Sequence, residues 1–200
     1  IDPAKVADKP ALEMAIGFTR QKDIIEESIK PALLARLQQM PYQLAPDGVS
    51  LDLLTGSGYK YNWGDVFSNT KKYSSLLTGS QTDFANDMSK LMQDVSAYGK
   101  LLGVDFDAIE SAEEGWQYVA RILKRGDNIL PMYVKKRVGG LKPHQQERVY
   151  ETMAEGIERL KPGESYLGPM ETLSRHITNV YSAVAEKELR DEIIRRGVGT

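Results

Sequence analysis

Apolar residues recur at spacings of three and four along most of the chain, the signature of helices that bury one face. In 11–30, ALEMAIGFTRQKDIIEESIK, the stripe is Leu12, Ile16, Ile24, Ile25 and Ile29. Leu33, Leu34 and Leu37 continue it beyond Pro31. A proline inside a helix loses one backbone bond and collides with the preceding turn, which predicts a break or kink near Lys30. Pro41, Pro46 and Gly48 mark a connection. Helical pattern returns over DVFSNTKKYSSLL and is strongest over 82–103, where Phe84, Met88, Leu91, Met92, Val95 and Leu102 repeat. Ser80 and Asp83 fit a capping box with Asp in place of Glu, and Gly103 is placed to stop the helix.

A further helix is predicted from about Asp107 to just before Gly126. Acidic side chains crowd its start and Arg121, Lys124 and Arg125 its last turn, which complements the helix dipole. A short helix follows over 128–138, with Pro131 near its first turn, and then one over 142–160 carrying Val149, Met153, Ile157 and Leu160. The last runs from about Met170 to Arg196, with Leu173, Ile177, Val180, Tyr181, Val184, Leu189 and Ile193 as its stripe and Gly197 as its stop. Residues 49–64 are the least helical. Tyr59, Tyr61 and Trp63 alternate there between glycines, which reads as a loop pinned by its aromatics or as a short extended arm. The expected fold is therefore all-α, an irregular multi-helix bundle or array with a small extended or loop insertion near 49–64. Residues 1–200 form a single helical domain on this reading, with a subdomain hinge at 41–64 as its one candidate division. The chain also reads as a segment of a larger protein, because it begins with Ile and its ending RRGVGT could continue.

Composition narrows the chemistry. With no Cys, disulfide frameworks and thiolate metal sites are excluded. No run of about 18 apolar residues suggests a transmembrane helix. The first residues lack the basic and apolar regions of a signal peptide, which favours cytoplasm or virion. His144 and His176 have no partner at metal-ligand spacing. They read as a surface histidine and a partly buried, hydrogen-bonded one. The acidic run from Asp105 fails the calcium-loop pattern, with Glu110 at the sixth place and Trp116 at the twelfth. TGSGYKYNWG is not a phosphate loop, and GGLK at 139–142 reads as a turn between helices. No nucleophile elbow is present. A carboxylate pair brought together by the fold remains a third reading, as a hydrolase. No cofactor is implied and no catalytic constellation is visible.

Charge is uneven. The net of -2 combines 11 basic and 17 acidic residues in 1–120 with 15 basic and 11 acidic in 121–200. The basic excess concentrates in Arg121, Lys124, Arg125, Lys135, Lys136, Arg137, Lys142 and Arg148. These are candidate contacts to nucleic-acid phosphates; the alternative is an ordinary solvated face. The leading functional reading is a non-enzymatic structural or interaction domain, whose partners are other proteins or other segments of the same polypeptide.

The C-terminal stretch YLGPMETLSRHITNVYSAVAEKELRDEIIRRG resembles helical segments of the very large multidomain proteins of bacteriophages and mobile elements. The matching residues are Pro169, Leu173, Arg175 and Ile177, in a Pro-led segment that opens a long helix. The resemblance spans about 30 of the 200 residues. It implies a packaged or ejected virion protein and carries over no catalytic residue.

Overall fold

The structure is a computed structural model that describes residues 9–53, 58–104, 117, 119–129 and 152–197. Helices dominate, but the expectation of an all-α fold is overturned. Two antiparallel three-stranded sheets are present, ordered β1-β2-β3 and β5-β4-β6.

The first helix, α1 (Lys9–Ile24), does not break before Pro31. It widens into a single π turn over Ile25–Ile29 and continues as α2 (Lys30–Leu34). The Lys30 N–H donates to the Ile25 carbonyl, five residues back. The wider turn carries the chain past the carbonyl that the proline ring would strike in an α-helix.

Residues of the 41–64 connection contribute to the core. Strand β1 (Gln43–Leu44) turns through Ala45, Pro46, Asp47 and Gly48 into β2 (Ser50–Asp52). The Asp47 carboxylate accepts from the N–H groups of Val49 and Ser50 at 2.8 and 2.9 Å. Gly48 takes φ 70°, which only glycine adopts readily. The alternating aromatics form β3 (Tyr61–Asn62), which pairs with β2 in the register Leu51↔Tyr61. Tyr42, Val49, Leu51, Leu53 and Trp63 from this region all enter the main core cluster.

Asn62 caps α3 (Trp63–Ser68), and Asn69 caps α4 (Thr70–Tyr73). The long α5 (Gly79–Leu101) begins two residues earlier than its predicted box. Thr78 is the N-cap and Gln81 its reciprocal partner, not Ser80 and Asp83. It ends as expected at Gly103, φ 77°. The Gly103 N–H bonds to the Lys100 carbonyl and the Val104 N–H to that of Gly99, a Schellman stop.

The second sheet occupies residues where the end of one helix and the start of another were predicted, the rest of both lying outside the described residues. Val119 to Ile122 is not helical, and Leu123–Arg125 is β4. A tight turn at Gly126–Asp127 leads to β5 (Asn128–Ile129), where the 128–138 helix was expected to start. Gly126 has φ 57° while Asp127 is not positive, which suits a turn with glycine at its first central place. Of the predicted 142–160 helix, residues 142–151 lie outside the described residues. Thr152 is extended and caps α6 (Met153–Glu158) with Glu155 in a capping box. Strand β6 (Glu164–Tyr166) then closes the sheet against β4, in the register Leu123↔Tyr166 and Arg125↔Glu164.

The last helix, α7 (Pro169–Arg196), matches its expected span, and Gly197 ends it in the left-handed region. Trp63 donates from its indole to the Leu167 carbonyl at 3.1 Å, which fixes the entry to α7 against α3. Trp63, Phe67, Phe84 and Tyr42 form one tilted aromatic stack with centroid separations of 5.2–6.0 Å. Such pairs add to area burial. Leu173, Ile177, Val180 and Val184 bury the predicted α7 stripe in the same cluster.

Candidate functional site

Of the eight basic residues singled out from sequence, Arg121, Lys124 and Arg125 are described. Lys135, Lys136, Arg137, Lys142 and Arg148 lie outside the described residues, as do His144, the acidic run 105–114 and GGLK. Arg121 is not at the surface. Its side chain is 8% exposed and pairs with Asp65 at 3.6 Å. Burial draws its guanidinium down from the ordinary value, and the charge of Asp65 opposes that. Arg125 is exposed and bonds to Glu164 at 2.5 Å, and Lys124 is half-buried. The three are therefore not gathered on one open face.

Asp65 is a junction that charge counting could not reveal. Asn62 Nδ2 donates to its carboxylate at 2.7 Å. The N–H groups of Met153 and Ala154 donate to it at 2.5 and 3.0 Å. One side chain thus satisfies two N–H groups at the start of α6 and faces the buried Arg121. Helix starts favour a carboxylate for this reason. The Met153 side chain lies against Gly64, where a Cβ would stand 2.7 Å from Met153 Cε.

His176 lies between α5 and α7, buried as expected. Nε2 is 3.0 Å from Ser96 Oγ and 3.2 Å from the Met92 carbonyl oxygen. The carbonyl can only accept, which assigns the ring proton to Nε2. Burial pushes the imidazole down to about 4, and its bond to Met92 partly offsets this. A ring that holds its Nε2 proton and is so weakly basic is a structural link, not a general base for Ser96. Among the described residues no group of three His, Asp or Glu side chains could hold a metal ion. No helix among them is long and apolar enough to cross a membrane.

The most distinctive surface lies where α7 outruns α5. The two helices run side by side in the same direction: Ser96 meets His176, Tyr98 stacks on Tyr181 with centroids 4.6 Å apart, and Gly103 adjoins Lys187. Helix α1 runs the opposite way along α7, with Gln21 bonded to Glu188 and Glu26 to Thr178. After Gly103 turns α5 away, α7 continues for more than two turns. Ile194 lies seven residues beyond Lys187 and so on the same face. It is 70% exposed, and Leu101 at the end of α5 is 83% exposed. The periodic stripes take Leu102 and Ile193 and leave these two off the buried face.

No protein-family model matches the chain. No curated protein and no solved structure matches it either.

Proposed function

We propose that this chain is a non-enzymatic structural and interaction domain, and that it docks another protein, or another segment of its own polypeptide, at the end where α7 outruns α5. The observation that carries this reading is the exposure of two large aliphatic side chains, Leu101 at the end of α5 and Ile194 in the last turn of α7. Large aliphatic side chains left in water near helix ends suit an interface. Around them, Lys187 pairs with Asp191, and Arg195 and Arg196 with Glu192, so α7 carries its own charge pairs as it leaves the core. Charge pairs beside the exposed Ile194 suit a docking edge. The resemblance of 166–197 to helical segments of large phage proteins supports a virion setting for the partner.

Sedimentation tests the reading. The chain is run alone and mixed with purified virion components or neighbouring segments. A complex is expected, and Leu101→Glu with Ile194→Glu should remove it without altering the helical circular dichroism. A chain that stays monomeric in every mixture, or a double variant that binds as well as the parent, contradicts it.

A further inference from the structure

The seam between α5 and α7 carries a pair of phenols. Tyr98, in the last turn of α5, and Tyr181, in α7, stack with centroids 4.6 Å apart and planes 24° from parallel. The contact is held on both sides. Ser96 Oγ lies 3.0 Å from His176 Nε2, and the Lys187 side chain lies against Gly103. The other tyrosine pair among the described residues, Tyr61 and Tyr73, meets edge to face at 5.7 Å. Tyr98 is 36% exposed and Tyr181 is partly buried, so a dissolved reagent reaches the pair.

Burial, with the charge of Glu188 adding to it, raises the Tyr98 phenol above its ordinary value, and burial with Tyr98 does the same for Tyr181. Both rings are therefore uncharged at neutral pH and stack without repulsion. The chain has no Cys, so no thiol of its own takes up an oxidant first. Neighbouring phenols have one characteristic oxidation. Each ring gives up an electron and its hydroxyl proton, and unpaired spin spreads from the oxygen to the ring carbons beside the C–O bond. Two such radicals join through one of those carbons on each ring. The hydrogen on each joined carbon then moves to the phenol oxygen, which restores both aromatic rings and both hydroxyls. The product has one new carbon–carbon bond and two hydrogens fewer.

We propose that Tyr98 and Tyr181 are an oxidative cross-linking site, joined as dityrosine by a haem peroxidase with hydrogen peroxide. The peroxide takes the two electrons and two protons and leaves as two waters. Stacking places a partner beside each radical before it forms, so coupling within the chain outruns coupling between chains. The link ties α5 to α7 at the base of the overhang. A covalent tie between residues far apart in sequence also restricts the unfolded chain, which stabilises the fold. This goes beyond docking at the α7 overhang and does not depend on it.

Peptide mapping tests it. The whole chain, kept dilute, is treated with a haem peroxidase and limiting hydrogen peroxide and then digested with trypsin. Cleavage releases Tyr98 in 91–100 and Tyr181 in 176–187, each without another tyrosine. Mass spectrometry should find these two peptides joined and two hydrogens lighter, from protein that runs as a monomer in denaturing gels. Tyr98→Phe or Tyr181→Phe should lower the joined peptide by about tenfold or more, because the remaining phenol has lost its stacked partner. Circular dichroism checks that these variants fold. Tyr61→Phe, in the edge-to-face pair, should leave the yield unchanged. The treated parent should gain Tm over the untreated one, and treated Tyr98→Phe should not. The Leu101→Glu, Ile194→Glu variant should still cross-link, which separates this site from the docking end. The proposal is overturned if the joined peptide is absent, if it forms only between chains, or if it forms equally well in urea-unfolded chain.

Discussion

The Asp65 carboxylate accepts the backbone N–H of Met153 at 2.5 Å, a bond between residues 88 apart in the chain. Through it the end of the β1–β3 region, the approach to β4 and the start of α6 share one acceptor. Removing that acceptor leaves two N–H groups of α6 without it and takes the Asp65 charge from the buried Arg121. Loss of one partner of a buried pair is far more costly than its net contribution. Asp65→Ala should therefore destabilise the chain by about 3–5 kcal/mol in urea unfolding. Asp65→Asn keeps an acceptor for α6 and should cost less. A loss below about 1 kcal/mol for the alanine variant would show that the junction is incidental.

Gly156 packs against Tyr166, and a Cβ there would collide with the Tyr166 hydroxyl. Gly156→Ala should lower stability by about 1–3 kcal/mol despite alanine's better helix propensity. Tyr166→Phe removes the obstructing atom and should restore part of that loss in the double variant. Equal losses with and without the hydroxyl would place the cause elsewhere.

His176 predicts an acid-sensitive seam between α5 and α7. The folded ring titrates at about 4, against 6.5 for an unperturbed one, because burial penalises its charged form. Between these values the unfolded chain binds more protons. Stability should thus be complete above about pH 6.5 and fall as pH drops toward 4, by at most about 3 kcal/mol. Carboxylates such as Glu26 and Asp47, held below their usual range by hydrogen bonds, add losses at lower pH. Urea unfolding of the parent and of His176→Gln between pH 4 and 7 isolates the histidine. The variant should show a flatter slope; parallel curves would exclude His176 as the source.

The long helices were legible because each carries its pattern locally. The α7 stripe from Leu173 to Val184 and the glycines at 103 and 197 state both face and ends. The second sheet was not legible. Ile122 to Arg125 fits the basic end of a helix as well as it fits a strand, and β4 is specified by β6, some 40 residues on. The Gly126–Asp127 turn was the one local signal for it, and it was read as a helix stop. Arg121 was counted as surface charge because its partner, Asp65, lies far back in the chain. Leu101 and Ile194 stand one residue off the stripes that end in Leu102 and Ile193, and both are exposed.

The central claim is that the end of α5 and the overhang of α7 are covered by a partner in the native assembly. Carbene footprinting of the chain alone and within that assembly reads it directly at Leu101 and Ile194. The account predicts strong labelling of both in the isolated chain and a marked drop in the assembly, with exposed Ile24 on α1 as an internal control. Equal labelling at Leu101 and Ile194 in the two states would contradict it.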